Sequence, residues 1–218
     1  MCPIINTMSL DSNTQSIFQF FAKHKKTMIL VFYGQYMYIV GMIGYSAYLI
    51  SLQTNREVVY EWGTVSGVFA LVYFSLSMLP GIARRFKLVS PITQILMLFR
   101  RQVGVTAFLF GLFHYLALRM LPIVLAGVPL NLNPPVFEIL GFLTLYPMTL
   151  LFLTSNDLSV KKMGVWWRRV HSLAYIMAWT IFLHVALNEA GLWTVVIGIF
   201  ALLETSSLVY FFFKRKSK

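Results

Sequence analysis

RRQVGVTAFLFGLFHY at 100–115 and WWRRVHSLAYIMAWTIFLH at 166–184 decide how this chain folds. Each stretch carries a pair of arginines near its start, continues through apolar residues and reaches a histidine, His114 or His184. From Arg101 to His114 is 13 residues, and from Arg169 to His184 is 15. At 1.5 Å per helical residue, arginines in one plane put the two imidazoles within ~3 Å of the same depth.

Composition says what surrounds these helices. The 218 residues are 58% hydrophobic and only 11% charged, with a mean hydropathy of +0.73. Soluble domains carry about 25% charged residues, so the solvent here is mostly lipid. Six apolar segments, at 28–52, 58–79, 103–126, 136–154, 170–187 and 192–213, each approach the ~20 residues that cross a hydrocarbon core. Short linkers make neighbours antiparallel. The expected fold is an all-α membrane protein, a six-transmembrane-helix bundle. Residues 28–213 form its single domain, after a polar segment at 1–27 and before a basic tail at 214–218. The first apolar run is too long for a signal-peptide core and lacks a small-residue cleavage site, which makes it a retained helix. Pro80, Pro122 and Pro147 are expected at or near helix ends. Within 81–99, Pro91 and the apolar 95–98 suggest a short interfacial helix. Asn131, Asn133, Pro134 and Pro135 mark a turn.

A net charge of +11 is compatible with nucleic acid, but its distribution excludes that partner. Basic clusters at 23–26, 84–87, 100–101, 161–162, 168–169 and 214–218 hold 16 of the 18 Lys and Arg residues. All fall on one side of the six crossings, leaving Arg56 and Arg119 near the other. The positive-inside rule places that basic side, and both termini, in the cytoplasm. The chain is then a multi-pass protein of a bacterial inner membrane. Glu57, Glu61, Glu138 and Glu189 fall outside, Asp11 and Asp157 inside. Glu204 alone lies within an apolar segment, where a protonated group bonded to a neighbouring helix is favoured over a proton relay. Cys2 is the single cysteine, so no internal disulfide forms, and no C-x-x-C-H attaches a haem covalently. No Gly-rich nucleotide fingerprint occurs, so any nicotinamide is oxidised by another protein.

Of the four histidines, His24 sits among lysines on the surface. His114 and His184, at one depth on parallel helices, can hold an iron porphyrin between them. An imidazole pair without carboxylate or thiolate suits haem better than zinc. Gly104 and Gly111 lie ~20° apart around the third helix, with His114 ~60° from Gly111, leaving room for a flat macrocycle. His171 precedes His184 by 13 residues, ~19.5 Å along an ideal helix but ~220° around it. At its depth the third helix offers Arg101 or Gln102, not histidine. His171 is therefore expected to serve a second haem with a weak or absent second ligand, to act as a relay, or to bond a propionate. Arg100, Arg101, Arg168 and Arg169 on the inner side, and Arg119 on the outer, are the propionate candidates.

These residues resemble a known family. Arg100-Arg101-Gln102-Val103-Gly104-Val105 leads to Phe113-His114-Tyr115, the fourth helix leaves through Leu153-Thr154-Ser155, and Gly164, Trp166, Trp167, His171 and Tyr175 precede His184. The pattern resembles the ferric-reductase-like transmembrane domain, and within it the MsrQ-like branch, haem-binding membrane subunits of periplasmic methionine sulfoxide reductase systems. The resemblance runs from the second to the sixth helix. It implies a b-type cytochrome taking electrons from a cytoplasmic flavin reductase to an outer-side, MsrP-like reductase subunit. FMN is implied by the resemblance alone. Related NADPH oxidases and eukaryotic ferric reductases have four histidines and a fused flavin–nicotinamide domain. Here arginine stands where their inner histidine would lie on the third helix, and the sequence stops at Lys218; both favour the MsrQ-like branch. A transmembrane ferric or quinone reductase subunit is the nearest alternative. A transporter or structural protein, with histidines used for packing or proton transfer, is the more distant one.

Overall fold

All six apolar segments form helices long and apolar enough to cross a membrane. The computed structural model describes residues 12–216 apart from Val89. Its helices are α1 (Ser12–Lys23), α2 (Lys25–Ser51), α3 (Arg56–Arg85), α4 (Pro91–Leu98), α5 (Arg100–Ala126), α6 (Val136–Leu153), α7 (Asp157–Met163), α8 (Val165–Asn188) and α9 (Leu192–Lys216). Among the described residues there is no strand. The spans are α2, α3, α5, α6, α8 and α9. Six crossings by these helices would put the start of α2 and the end of α9 on one side, that of the basic clusters.

α3 packs along α5 and also meets α9, α8 packs on both α6 and α9, and α2 lies against α5. Lipid is as apolar as leucine, so these helices are held by close packing and interhelical hydrogen bonds. Leu71, Phe74 and Met78 of α3 bury with Ala107, Phe108 and Phe113 of α5, and with Ile197 and Ala201 of α9. Tyr36 donates to the Gln102 carbonyl at 3.0 Å, joining α2 to α5. Thr144 donates to the Thr180 hydroxyl at 2.8 Å, joining α6 to α8. Leu30, Met37 and Tyr146 project outward, where a bilayer accepts apolar side chains.

Several expectations change. Pro80 and Pro147 stand inside α3 and α6 rather than at their ends, because neighbouring helices in a membrane bundle tolerate the lost donor. α3 therefore continues past Pro80 and carries Arg84 and Arg85 within its last turn. A short helix forms where one was expected, as α4, started by a capping box in which Thr93 N–H donates to Ser90 Oγ at 3.2 Å. The 1–27 segment, expected only as polar, contains α1, with Phe21 against Phe99 at 6.5 Å. The basic tail does not begin a separate segment at 214, since α9 runs through Lys216. Cys2, Asp11 and Lys218 lie outside the described residues.

Two local irregularities lie in the helices that carry the site. A five-residue π-helical turn, Leu116–Met120, begins two residues after His114 in α5; such turns recur at functional sites. α8 carries one turn residue, Ser172, between Val165–His171 and Leu173–Asn188; its backbone stays right-handed helical and its N–H still bonds the Arg168 carbonyl at 3.0 Å.

Candidate functional site

His114 on α5 and His184 on α8 meet in the bundle, their ring centroids 6.3 Å apart and their planes 84° apart. Both rings are oriented by backbone from a different helix. His114 Nδ1 lies 2.9 Å from the Gly63 carbonyl of α3. His184 Nδ1 lies 2.6 Å from the Phe137 carbonyl of α6. A carbonyl only accepts, so each Nδ1 carries the proton and each Nε2 is left as a lone pair. Among the described residues neither Nε2 has a hydrogen-bond partner.

The two sockets are built alike. In a helix the carbonyl of residue i is the ladder acceptor for the N–H of residue i+4. For Gly63 and Phe137 those residues are Gly67 and Gly141, both glycines. Each imidazole lies flush on that glycine. A Cβ at Gly67 would sit 2.6 Å from His114 Nδ1, and one at Gly141 would sit 2.9 Å from His184 Cε1. Sequence reasoning missed both, favouring Gly104 and Gly111 on the histidine's own helix. A Cβ at Gly104 meets nothing within 4 Å, and at Gly111 only ordinary contacts from 3.8 Å. The signal available was Gly63-x-x-x-Gly67, a spacing that marks close helix approach in membranes.

This pair fits the haem expected from the sequence. Two imidazoles on opposite sides of one metal ion, each bonded through nitrogen at about 2.0–2.1 Å, place their centroids about 6.3–6.5 Å apart. Among the described residues no group of three or more His, Cys, Asp or Glu side chains could hold a metal ion. Two imidazoles alone suit a metal whose other ligands come from a macrocycle. A ligating histidine donates its second N–H to a carbonyl or carboxylate, which fixes tautomer and orientation; both histidines here do so.

His171 is not brought to this pair. Its ring stacks on Trp167 at 4.1 Å, and its Nε2 is 3.1 Å from Thr154 Oγ1 at the end of α6. Trp167 Nε1–H donates to the Thr154 carbonyl at 2.9 Å, closing the arrangement. Thr154, Trp167 and His171 therefore form one unit on the basic side. His24 lies apart, its Nδ1 2.9 Å from the Phe20 carbonyl of α1.

The arginines divide into paired and unpaired. Arg119, expected to need a propionate, forms an ion pair with Glu138 that joins the π-helical turn of α5 to α6. Arg101 pairs with Asp157 at 2.6 Å, and its guanidinium holds that exposed carboxyl below the usual carboxylate range. Arg169 lies 4.6 Å over the Trp166 ring. Among the described residues Arg100 and Arg168 have no ion pair. Arg85, counted by sequence only as a basic-side charge, instead enters the bundle and meets Glu204 of α9. Glu204 thus bonds a neighbouring helix as expected, but its partner is a cation. A Cβ at Gly81 would lie 3.8 Å from Arg85 and 3.9 Å from Arg100 nitrogens, so two guanidiniums converge there.

The family described as "Ferric reductase like transmembrane component" matches residues 66–183, more than half of the chain. The chain belongs to that family. The match spans His114 and His171 and stops one residue before His184. A curated relative from Brucella ovis, the protein-methionine-sulfoxide reductase heme-binding subunit MsrQ, is 28% identical over 130 residues, 57% of this chain and 55% of its own. The protein of that name from Rhizobium meliloti is 28% identical over 92 residues, 41% of this chain and 43% of its own. The chain thus spans about half the length of the curated relatives it matches. No solved structure matches. The fold and the family agree: this is a multi-pass integral membrane protein of the ferric-reductase-like family.

Proposed function

We propose that this protein is a b-type haem electron-transfer subunit of a bacterial inner membrane. It takes electrons from a cytoplasmic flavin reductase and passes them to a methionine sulfoxide reductase on the outer side. The observation that carries this reading is the pairing of His114 and His184, each with Nδ1 bound to backbone and Nε2 unpartnered. The relatives' names support haem and the reductase system. The charge asymmetry supports the cytoplasmic assignment of the basic face.

A bound haem supplies a one-electron couple; the chain supplies its ligands, their orientation and a dry setting. His114 and His184 would hold the iron through Nε2. Gly63 and Phe137 hold the two Nδ1 protons, keeping both imidazoles in the ligating tautomer. The Arg119–Glu138 pair braces α5 against α6 just beyond His114. On the basic face, Arg100 and Arg168 remain free to meet propionates, while Thr154, Trp167 and His171 stand where electrons enter. Nothing in the described geometry assigns residues to FMN.

Replacing His114 or His184 with Ala would remove one of the two residues that would hold the iron, and purified protein is expected to lose its low-spin haem spectrum. Retention of the full spectrum in both variants would exclude this ligand assignment. His171→Ala is expected to keep that haem while slowing its reduction in membranes supplied with NADH, flavin and reductase. Loss of haem as complete as in His184→Ala would make His171 a ligand of the same iron. No change in content or rate would leave His171 a packing residue.

A further inference from the structure

The two imidazole sockets differ in one respect. The Gly63 carbonyl receives a third donor, the Ser66 hydroxyl, at 2.6 Å. Ser66 is buried, at 2% exposure, and donates nowhere else among the described residues. The Gly63 oxygen therefore serves the helix ladder, Ser66 and His114 together, with the imidazole at 2.9 Å. On the opposite side, the position three residues after Phe137 is Leu140, which has no hydroxyl. Among the described residues the Phe137 oxygen serves only the ladder and His184, with the imidazole at 2.6 Å. A carbonyl has two lone pairs, so three donors share what two would otherwise take. The imidazole contact is longer where the extra donor is present.

We propose that Ser66 tunes the reduction potential of the haem held by His114 and His184, by competing with His114 for the Gly63 carbonyl. This rests on the reading of that histidine pair as haem ligands. Stronger Nδ1–H donation makes an imidazole more basic at Nε2. A more basic axial ligand favours ferric over ferrous iron and lowers the potential, since second-shell hydrogen bonding is one of the protein's levers on it. Ser66 weakens the donation on the His114 side and so holds the potential up. It is a positioning residue, acting on the iron only through a carbonyl and an imidazole.

The test is a redox titration of purified holoprotein, followed by its visible spectrum, for two variants expected to move in opposite directions. Ser66→Ala removes the competing hydroxyl with little change in volume. It is expected to keep the low-spin spectrum and haem content while lowering the midpoint potential. Leu140→Ser places a hydroxyl at the equivalent position over Phe137 and is expected to raise the potential. Ser66→Thr, which keeps a hydroxyl able to bond the same carbonyl, is expected to stay close to the unmodified protein. An intact spectrum with an unchanged or raised potential in Ser66→Ala overturns the tuning role and leaves the haem reading standing. Loss of haem in Ser66→Ala also overturns it, assigning Ser66 to packing. Absence of low-spin haem from the unmodified protein sinks both.

Discussion

Gly67→Ala and Gly141→Ala are each expected to strip haem from a protein that still carries both ligating histidines. The added methyl at 67 would sit 2.6 Å from His114 Nδ1 and 2.9 Å from Cε1; at 141 it would sit 2.9 Å from His184 Cε1 and 3.0 Å from Nδ1. Imidazole is rigid, so the conflict cannot be relieved by bending a flexible chain end. Either the ring rotates about its own side-chain bonds, losing the Nδ1–H bond and its aim, or two packed helices separate. Disrupting the orienting partners of a metal ligand typically costs about 10–100-fold in affinity. Haem per protein after detergent purification, together with the low-spin absorption bands, measures the effect. Gly111→Ala provides the contrast, because its Cβ meets only contacts of 3.8 Å and beyond; it is expected to keep its haem. Equal haem content in Gly67→Ala, Gly141→Ala and Gly111→Ala would show that the sockets do not position the imidazoles.

That contrast also marks what the sequence could disclose. Six spans were legible because apolar runs of ~20 residues admit few other readings. The His114–His184 pair was legible because depth is a linear quantity, countable from the arginines. Gly67 and Gly141 were not, because their role depends on which helices pack together and how each is rotated. A residue count along one segment carries neither quantity. The helix end expected at Pro80 failed for a related reason: proline breaks an isolated helix, but tertiary neighbours decide within a bundle. Arg119 was read as needing a cofactor carboxylate because Glu138 is 19 residues away in sequence and its neighbour only in space. The π-helical turn after His114 leaves no clear composition signal, because it alters side-chain direction without altering hydrophobicity.

The largest stability effect is expected from separating Arg85 and Glu204. This pair joins α3 to α9 inside the bundle, with Glu204 only 2% exposed. The same guanidinium donates from Nε to Ser207 Oγ at 2.8 Å and lies 5.4 Å over the Tyr175 ring of α8. One cation therefore ties three helices. Removing one member of a buried pair strands the other, at a cost of about 3–5 kcal/mol. The two single variants are not equivalent. In Arg85→Met the stranded carboxylate can take a proton and become neutral. In Glu204→Leu the stranded guanidinium cannot shed its charge, and Arg100 nearby adds a like charge. Glu204→Leu is thus expected to be the more destabilising, and the double variant Arg85→Met/Glu204→Leu to recover most of the loss, as apolar replacement of a whole buried pair commonly does. Thermal unfolding of the four purified proteins in one detergent closes the cycle. Destabilisations that simply add in the double variant would mean that the two residues act independently, and that the ion pair does not hold α3 to α9.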